Sequence, residues 1–248
     1  QNARRQSCPP TPGQEKKEPF YIPIAMGLLG QDGKELPLFL EGGPQGDTHT
    51  VIVLKEAEQS FVFTNISEAP TPSILRNFSA PIRLKMEQTR EELTFLMAND
   101  SNEFNRWEAG QKLATKMILG MVSERAAGQP MTVDLGFIHA VESILADENL
   151  DKALAALALA LPMERVLAEE MKVVDIDGIH AARELVRKTI ACELKDSFIQ
   201  AYEANQSSEA YSADSVSVGR RSLKNACLSY LSLLETNEAT ELCEQQFN

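Results

Sequence analysis

Apolar and polar positions alternate along roughly the first hundred residues, then change to a three- and four-residue spacing for the rest of the chain. Seven alternating runs predict strands over 20–29, 35–40, 50–55, 60–65, 73–78, 82–86 and 93–97, because successive side chains of a strand face opposite ways. Gly30-Gln31-Asp32-Gly33 joins the first two runs, and its Asp-Gly step suits a tight hairpin in which both positions tolerate positive φ. Gly42-Gly43-Pro44-Gln45-Gly46 makes the next connection, and residues 55–59 the one after. Val51 with Val53, and Phe61 with Phe63, are placed on one face; His49 falls in a loop. Short strands punctuated this often predict an antiparallel sandwich of immunoglobulin-like type. Each sheet must bury one face, against a second sheet or against helices.

The change of period falls within residues 93–121. Leu93, Phe95 and Met97 still alternate. Asn99-Asp100-Ser101 then supplies short polar side chains suited to capping a helix. From Phe104 the apolar residues Trp107, Leu113, Met117 and Met121 keep helical spacing. Helices are predicted over 102–126, 133–146, 151–161, 162–171, 177–204, 214–234 and 238–247. Gly128 and Pro130 stop the first, and Pro162 opens the fourth at the turn that tolerates a proline. Consecutive antiparallel helices with short connections predict an armadillo- or HEAT-like superhelix, irregular because no clean internal period recurs. The chain is thus expected to be α+β and multidomain: an extended lead-in over 1–19, a β-sandwich over 20–98, and a helical stack over 99–248. Ten of the twelve prolines lie at or before Pro81, which supports the boundary independently of periodicity.

Composition narrows the function. The net charge of −12 is uneven, with 10 Lys+Arg against 12 Asp+Glu up to residue 98 and 14 against 24 beyond it. An acidic helical half repels phosphate backbones, which argues against nucleic acid as a partner. The longest apolar run, residues 153–161, is far short of the ~20 residues that span a bilayer, so no membrane partner is expected. No signal-peptide pattern opens the chain, and a first residue other than Met suggests a processed or excised piece. Cys8, Cys192, Cys227 and Cys243 form no C-x-x-C pair and are expected as free thiols in a reducing compartment, with the cytoplasm as the expected location. Four N-x-S triplets, at Asn65, Asn77, Asn99 and Asn205, point only weakly the other way.

Candidate chemistry is sparse. His139 has Glu142 three residues on and His180 has Glu184 four residues on, yet a catalytic zinc needs three protein ligands and usually an H-E-x-x-H. Both histidines are expected to sit on helices with no metal. Asp147-Glu148-Asn149-Leu150-Asp151 opens like a calcium loop but puts Lys152 where glycine is required and Ala158 where a bidentate Glu is required, so it is expected to cap a helix. Asp175-Ile176-Asp177-Gly178 fails the same test. No G-x-S-x-G elbow or phosphate-binding glycine loop is present, and Gly27, Gly30, Gly33 and Gly42 to Gly46 are expected in turns. Lys16-Lys17 and Arg220-Arg221 lack the aromatics of a stacking groove.

Several stretches together resemble aminopeptidase N of the bacterial, plant and protozoal alanyl aminopeptidase type. They are the Leu93–Met97 run with Phe104-x-Arg106-Trp107-Glu108-Ala109-x-Gln111-x-Leu113, then Pro10-Thr11-Pro12-Gly13-Gln14, Tyr21-Ile22-Pro23-Ile24-Ala25, Ala57-Glu58-Gln59-x-Phe61-Val62-Phe63, Phe78-Ser79-Ala80-Pro81 and Arg221-x-Leu223-Lys224-Asn225-Ala226-Cys227-Leu228. Their order is collinear with the family and covers nearly the whole chain. The resemblance implies the C-terminal part of a zinc aminopeptidase that removes N-terminal residues from peptides. It implies as partners the upstream thermolysin-like catalytic domain of the same parent chain and peptide substrates. The family's zinc motif, H-E-x-x-H with a downstream Glu, and its G-x-M-E-N motif lie in that upstream domain. Neither occurs here, and Ala25-Met26-Gly27 is no part of the second. No catalytic, cofactor-binding or metal residue is therefore carried onto this chain: zinc belongs to the parent enzyme, none to this piece, which is expected to be inactive alone. The family's helical domain continues past a point such as Asn248 and closes over the active-site chamber, so an exposed apolar face including Leu231, Leu234 and Leu242 is expected on the last helices. The rival reading is a free-standing sandwich-plus-helical interaction module; a self-contained hydrolase is the remotest.

Overall fold

The computed structural model describes residues 2–208 and 210–247. The chain divides into two compact units, Gln1–Arg106 and Trp107–Asn248.

The first unit is built from antiparallel strands. β2 (Ile22–Leu29) lies between β4 (His49–Leu54) and β7 (Thr71–Ile74). β1 (Asn2–Arg5) pairs with β5 (Glu58–Phe61), and β3 (Phe39–Leu40) with β6 (Phe63–Thr64). The core comes from Ile22, Ile24, Met26 and Leu28 of β2, Ile52 and Leu54 of β4, and Ile74, joined by Leu38 and Phe61. Each such side chain contributes about 1.5–3 kcal/mol on burial, which is what closes these short strands into one unit.

Several strand expectations are corrected. Residues 93–97 are not a strand but part of helix α1 (Arg90–Asn99). Leu93, Leu96 and Met97 are its buried residues, an i, i+3, i+4 set that the alternation of Leu93, Phe95 and Met97 concealed. Thr89 caps α1, its hydroxyl accepting from Glu92 N while the Glu92 carboxylate accepts from Thr89 N. Thr89-x-x-Glu92 is a capping box, the local helix signal in this stretch. Thr89→Ala is expected to lower the unit's unfolding free energy by about 1 kcal/mol, measured by urea unfolding.

Residues 82–86 form no strand, and Ile82, Leu84 and Met86 instead lie half-buried against the core. The run over 60–65 breaks at Val62, and the run over 35–40 contributes one bridge, Leu29 to Glu35, before β3. On β4 the buried face carries Thr50, Ile52 and Leu54, while Val51 and Val53 share the opposite face, as the alternation places them. His49 opens β4, opposite Gly27. Asn2–Arg5, expected within the extended lead-in, instead pairs with β5, and the prolines of that stretch, Pro9, Pro10, Pro12 and Pro19, all lie beyond it. At the first hairpin Gly33 N donates to Gly30 O and only Gly33 takes positive φ, so Asp32 needs no special conformation.

The second unit is helical: α2 (Glu103–Ala126, most of which lies in this unit), α3 (Leu135–Ala146), α4 (Lys152–Ala158), α5 (Glu164–Glu169), α6 (Ile176–Glu193), α7 (Lys195–Ala204), α8 (Ser215–Leu231) and α9 (Asn237–Phe247). Aspartates start four of them: Asp134, Asp151, Asp175 and Asp214 each accept from backbone N–H groups of the first turn. The single helix expected over 177–204 is two, parted at Leu194, a buried residue with φ −111° and ψ 23°. No Gly or Pro marks that break. It lets Phe198 and Tyr202 of α7 turn into the core, where α7 packs on α3 and α8.

α8 is the central strut, packed on α4, α6, α7 and α9. Gly219, Leu223, Cys227, Tyr230 and Leu231 line its buried face. The absent Cβ of Gly219 matters, because one built there would stand 3.1 Å from Ala153 N. Leu231 is buried, and Leu234 and Leu242 are half-buried, contrary to the exposed face expected there. The short 3-10 turn Ser232–Leu234 and α9 fold back against α8 and cover it.

Candidate functional site

The densest group of buried polar side chains lies in the first unit, around Gly27 and Arg76. Gly27 sits inside β2, not in a turn as its residue type suggested. A Cβ placed there would overlap Cζ, Nη1 and Nη2 of Arg76, so the glycine makes room for the guanidinium across the strand. Arg76 follows β7 in a tight turn where Leu75, Asn77 and Phe78 all have positive φ, of 62°, 53° and 52°. For Leu75 and Phe78 that conformation is strained, by about 1–3 kcal/mol each, and surrounding bonds must hold it.

Those bonds converge on Arg76. Its Nη1 donates to Glu35 Oε1 (2.5 Å), its Nε to Ser73 Oγ (2.9 Å), and its Nη2 lies 3.5 Å from Asp100 Oδ1. Ser101 Oγ also donates to Glu35 Oε1. Asn105 Nδ2 donates to Ser73 Oγ (2.9 Å) and Ile74 O (3.1 Å). Asn102, not the Asn99-Asp100-Ser101 trio, caps α2: its Oδ1 accepts from Asn105 N. Asp100 is buried and accepts from Asn102 N.

Burial pushes the Asp100 carboxyl up, against the opposing pull of the Ser73 hydroxyl, the Asn102 N–H and Arg76. At Glu35 burial acts in the same upward sense but is outweighed by hydrogen bonds from Ser101, Arg76 and Thr48, and its value falls. A carboxylate whose folded value lies below its unfolded one contributes stability that is present above the unfolded value and lost as pH falls through the folded one. Glu35→Gln is therefore expected to destabilise the unit by a constant amount above the ordinary glutamate value of about 4.3. Below it the gap from wild type should close, as followed by urea midpoints across pH 2–7, a span of about five units.

The other residues considered from sequence are dispersed. His180 Nδ1 lies 2.9 Å from Glu164 Oε1, while Glu184 pairs with Arg187 (2.8 Å) rather than with His180. The Arg187 hydrogen bond holds the Glu184 carboxyl below the usual range. His139 is exposed on α3, and its carbonyl accepts from Ser143. Asp151 caps α4, and Lys152 Nζ donates to Glu148 O at 3.2 Å, a cation in the middle of the loop. Asp175 caps α6 and lies 3.8 Å from Arg125. Among the described residues no three His, Cys, Asp or Glu side chains are grouped to hold a metal ion, so this donor set does not fit the zinc of an aminopeptidase. None of the four cysteines forms a disulfide; burial pushes the Cys227 thiol up to about 12. Among the described residues no helix is long and apolar enough to cross a membrane.

Residues 3–87 match DUF3458, a domain of unknown function with an Ig-like fold, and residues 90–248 match DUF3458_C, a domain of unknown function with ARM repeats. The chain belongs to the DUF3458_C family. Among relatives of these DUF3458 domains, Aminopeptidase N of Escherichia coli (strain K12) is 38% identical over 243 residues, which is 98% of this chain and 28% of that protein. Aminopeptidase N of Haemophilus influenzae is 32% identical over 98% of this chain and 27% of its own length. For that of Caulobacter vibrioides the figures are 39%, 84% and 23%. The chain thus spans about a quarter of the length of the relatives it matches. The crystal structure of Legionella pneumophila aminopeptidase A in complex with aspartic acid superposes with a TM-score of 0.73 at 28% identity, over 92% of this chain and 26% of that one. The aminopeptidase N resemblance and the expected fold, an Ig-like β domain followed by an ARM-type helical one, are both shown, and the DUF3458 pair is a C-terminal part of such enzymes.

The DUF3458 chain uses its family-matching residues structurally. Ser79 Oγ accepts from Ala25 N (2.9 Å) and donates to Pro23 O (3.3 Å), joining Phe78-Ser79-Ala80-Pro81 to β2. Gln59 Oε1 accepts from Lys55 N. In α8, Leu223 and Cys227 enter the core, while the Arg221 guanidinium stands 4.6 Å from the centre of the Tyr211 ring and Lys224 Nζ 5.8 Å from that of Tyr202.

Proposed function

We propose that this chain is the non-catalytic C-terminal portion of a zinc aminopeptidase that releases N-terminal residues from peptides. In this reading the DUF3458 β domain is a stiff spacer and the helical domain walls the chamber in which an upstream thermolysin-like domain holds the metal. Excluding bulk water from such a chamber would strengthen electrostatic interactions at the zinc. The observation that carries the reading is the lopsided coverage: 98% of this chain aligns with 28% of Aminopeptidase N. The structural use of several matching residues supports it, since Ser79 and Gln59 bond backbone and Leu223 and Cys227 fill core. The cytoplasm is the proposed setting, in keeping with four cysteines that form no disulfide. Zinc enters this reading only through the upstream domain, and no step of the chemistry is assigned to residues of this chain.

The test uses the catalytic polypeptide joined to this chain, with and without residues 107–248. The joined enzyme should cleave an alanyl chromogenic substrate and spare the N-terminus of a folded protein, and the shortened one should lose that discrimination. If both forms reject the folded protein equally, the helical domain is not the wall.

A further inference from the structure

Three atoms of the Arg76 cluster are buried and hydrogen-bonded to no protein group: Arg76 Nη2, Asp100 Oδ2 and Asn105 Oδ1. Their residues are 7%, 1% and 7% exposed, so bulk water does not serve them. All three side chains are already tied together. Ser73 Oγ accepts from both Arg76 Nε and Asn105 Nδ2, and Arg76 Nη2 is 3.5 Å from the other Asp100 oxygen. The Asn105 amide is oriented without ambiguity, because its nitrogen meets Ile74 O, which can only accept. An orphan polar atom in the interior costs about 1–3 kcal/mol, and three in one cluster call for a shared partner.

The set is one donor and two acceptors. We propose that Arg76 Nη2, Asp100 Oδ2 and Asn105 Oδ1 form a built site for a single internal water molecule. That water accepts from the guanidinium and donates to the carboxylate and the amide oxygen, three bonds being the usual complement of a buried water. A metal cation would satisfy the two oxygens but would face the guanidinium as a like charge. A chloride would suit the guanidinium and be repelled by both oxygens. The water completes the tie from the strained turn at Leu75–Phe78 to the segment that opens α2, and so belongs to the fold of the β unit.

A crystal structure at about 1.5 Å, where ordered waters are placed from density, decides this. One water is expected at roughly 2.7–3.2 Å from all three atoms. Empty density, direct pairing of the three groups through changed rotamers, or an ion at about 2.3–2.6 Å would each overturn it. In solution, a slowly exchanging water should give a nuclear Overhauser effect to the Arg76 guanidinium protons, and Asn105→Leu should abolish it. Persistence of that signal in the variant, or its absence in wild type, counts against the site.

Discussion

Arg76→Met is expected to cost the β unit about 3–5 kcal/mol, the usual penalty for removing one partner of a buried ionic group. The cost comes from what stays behind. Asp100, 1% exposed, keeps a carboxylate with no cation, and Glu35 loses one of the bonds that hold it ionised. The turn at Leu75–Phe78 also loses its anchor, so its positive-φ strain is released by local opening. Against a typical domain stability of about 5–15 kcal/mol, that loss threatens the fold of this unit. Denaturant unfolding, with amide exchange resolved on β2 and β7, measures it. Two controls separate charge from shape. Adding Asp100→Leu and Glu35→Gln to Arg76→Met should recover much of the loss, because no uncompensated charge remains. Gly27→Ala should reproduce the effect with every charge in place, because its methyl would occupy the space of the guanidinium. If Arg76→Met cost under about 1 kcal/mol, the level of an exposed pair, the cluster would have no organising role.

The second large effect is in the helical unit. Phe198→Ala is expected to cost about 3–5 kcal/mol. Phe198 is fully buried in α7 and stacks on Tyr230 of α8 with ring centres 4.8 Å apart and planes 13° from parallel. It fixes α7 to α8 beyond the Leu194 break, so the cavity it leaves cannot collapse without moving one of the two helices. Tyr230→Phe is the milder companion. It keeps the stack and loses the hydroxyl bond to Leu159 O (2.6 Å), for about 1–2 kcal/mol. Burial pushes the Tyr230 hydroxyl up to about 12, so this donor stays protonated and the difference should not vary between pH 6 and 9, about three units that lie below its titration. A thermal melt of the helical signal for each variant gives both numbers.

The helices were legible wherever the local signals agreed. Asp151, Asp175 and Asp214 precede apolar residues at helical spacing, and each caps a helix. α1 was hidden because Leu93, Phe95 and Met97 satisfy period two by chance, although the capping box at Thr89 was in plain sight. The break at Leu194 leaves no trace in residue type, since packing of Phe198 and Tyr202 imposes it. The polar cluster was illegible for a different reason. Glu35, Ser73, Arg76, Asp100 and Asn105 are brought together by strand order, and nothing local distinguishes a buried arginine from an exposed one. The one available hint was Gly27, a lone glycine inside an alternating strand, where close approach of another group is the usual cause.

In the proposed reading this chain shapes an aminopeptidase without carrying its chemistry. The purified 248-residue chain, incubated with zinc and dialysed, should hold far less than one metal per chain and release no chromophore from alanyl p-nitroanilide. Stoichiometric zinc together with chelator-sensitive turnover would contradict it.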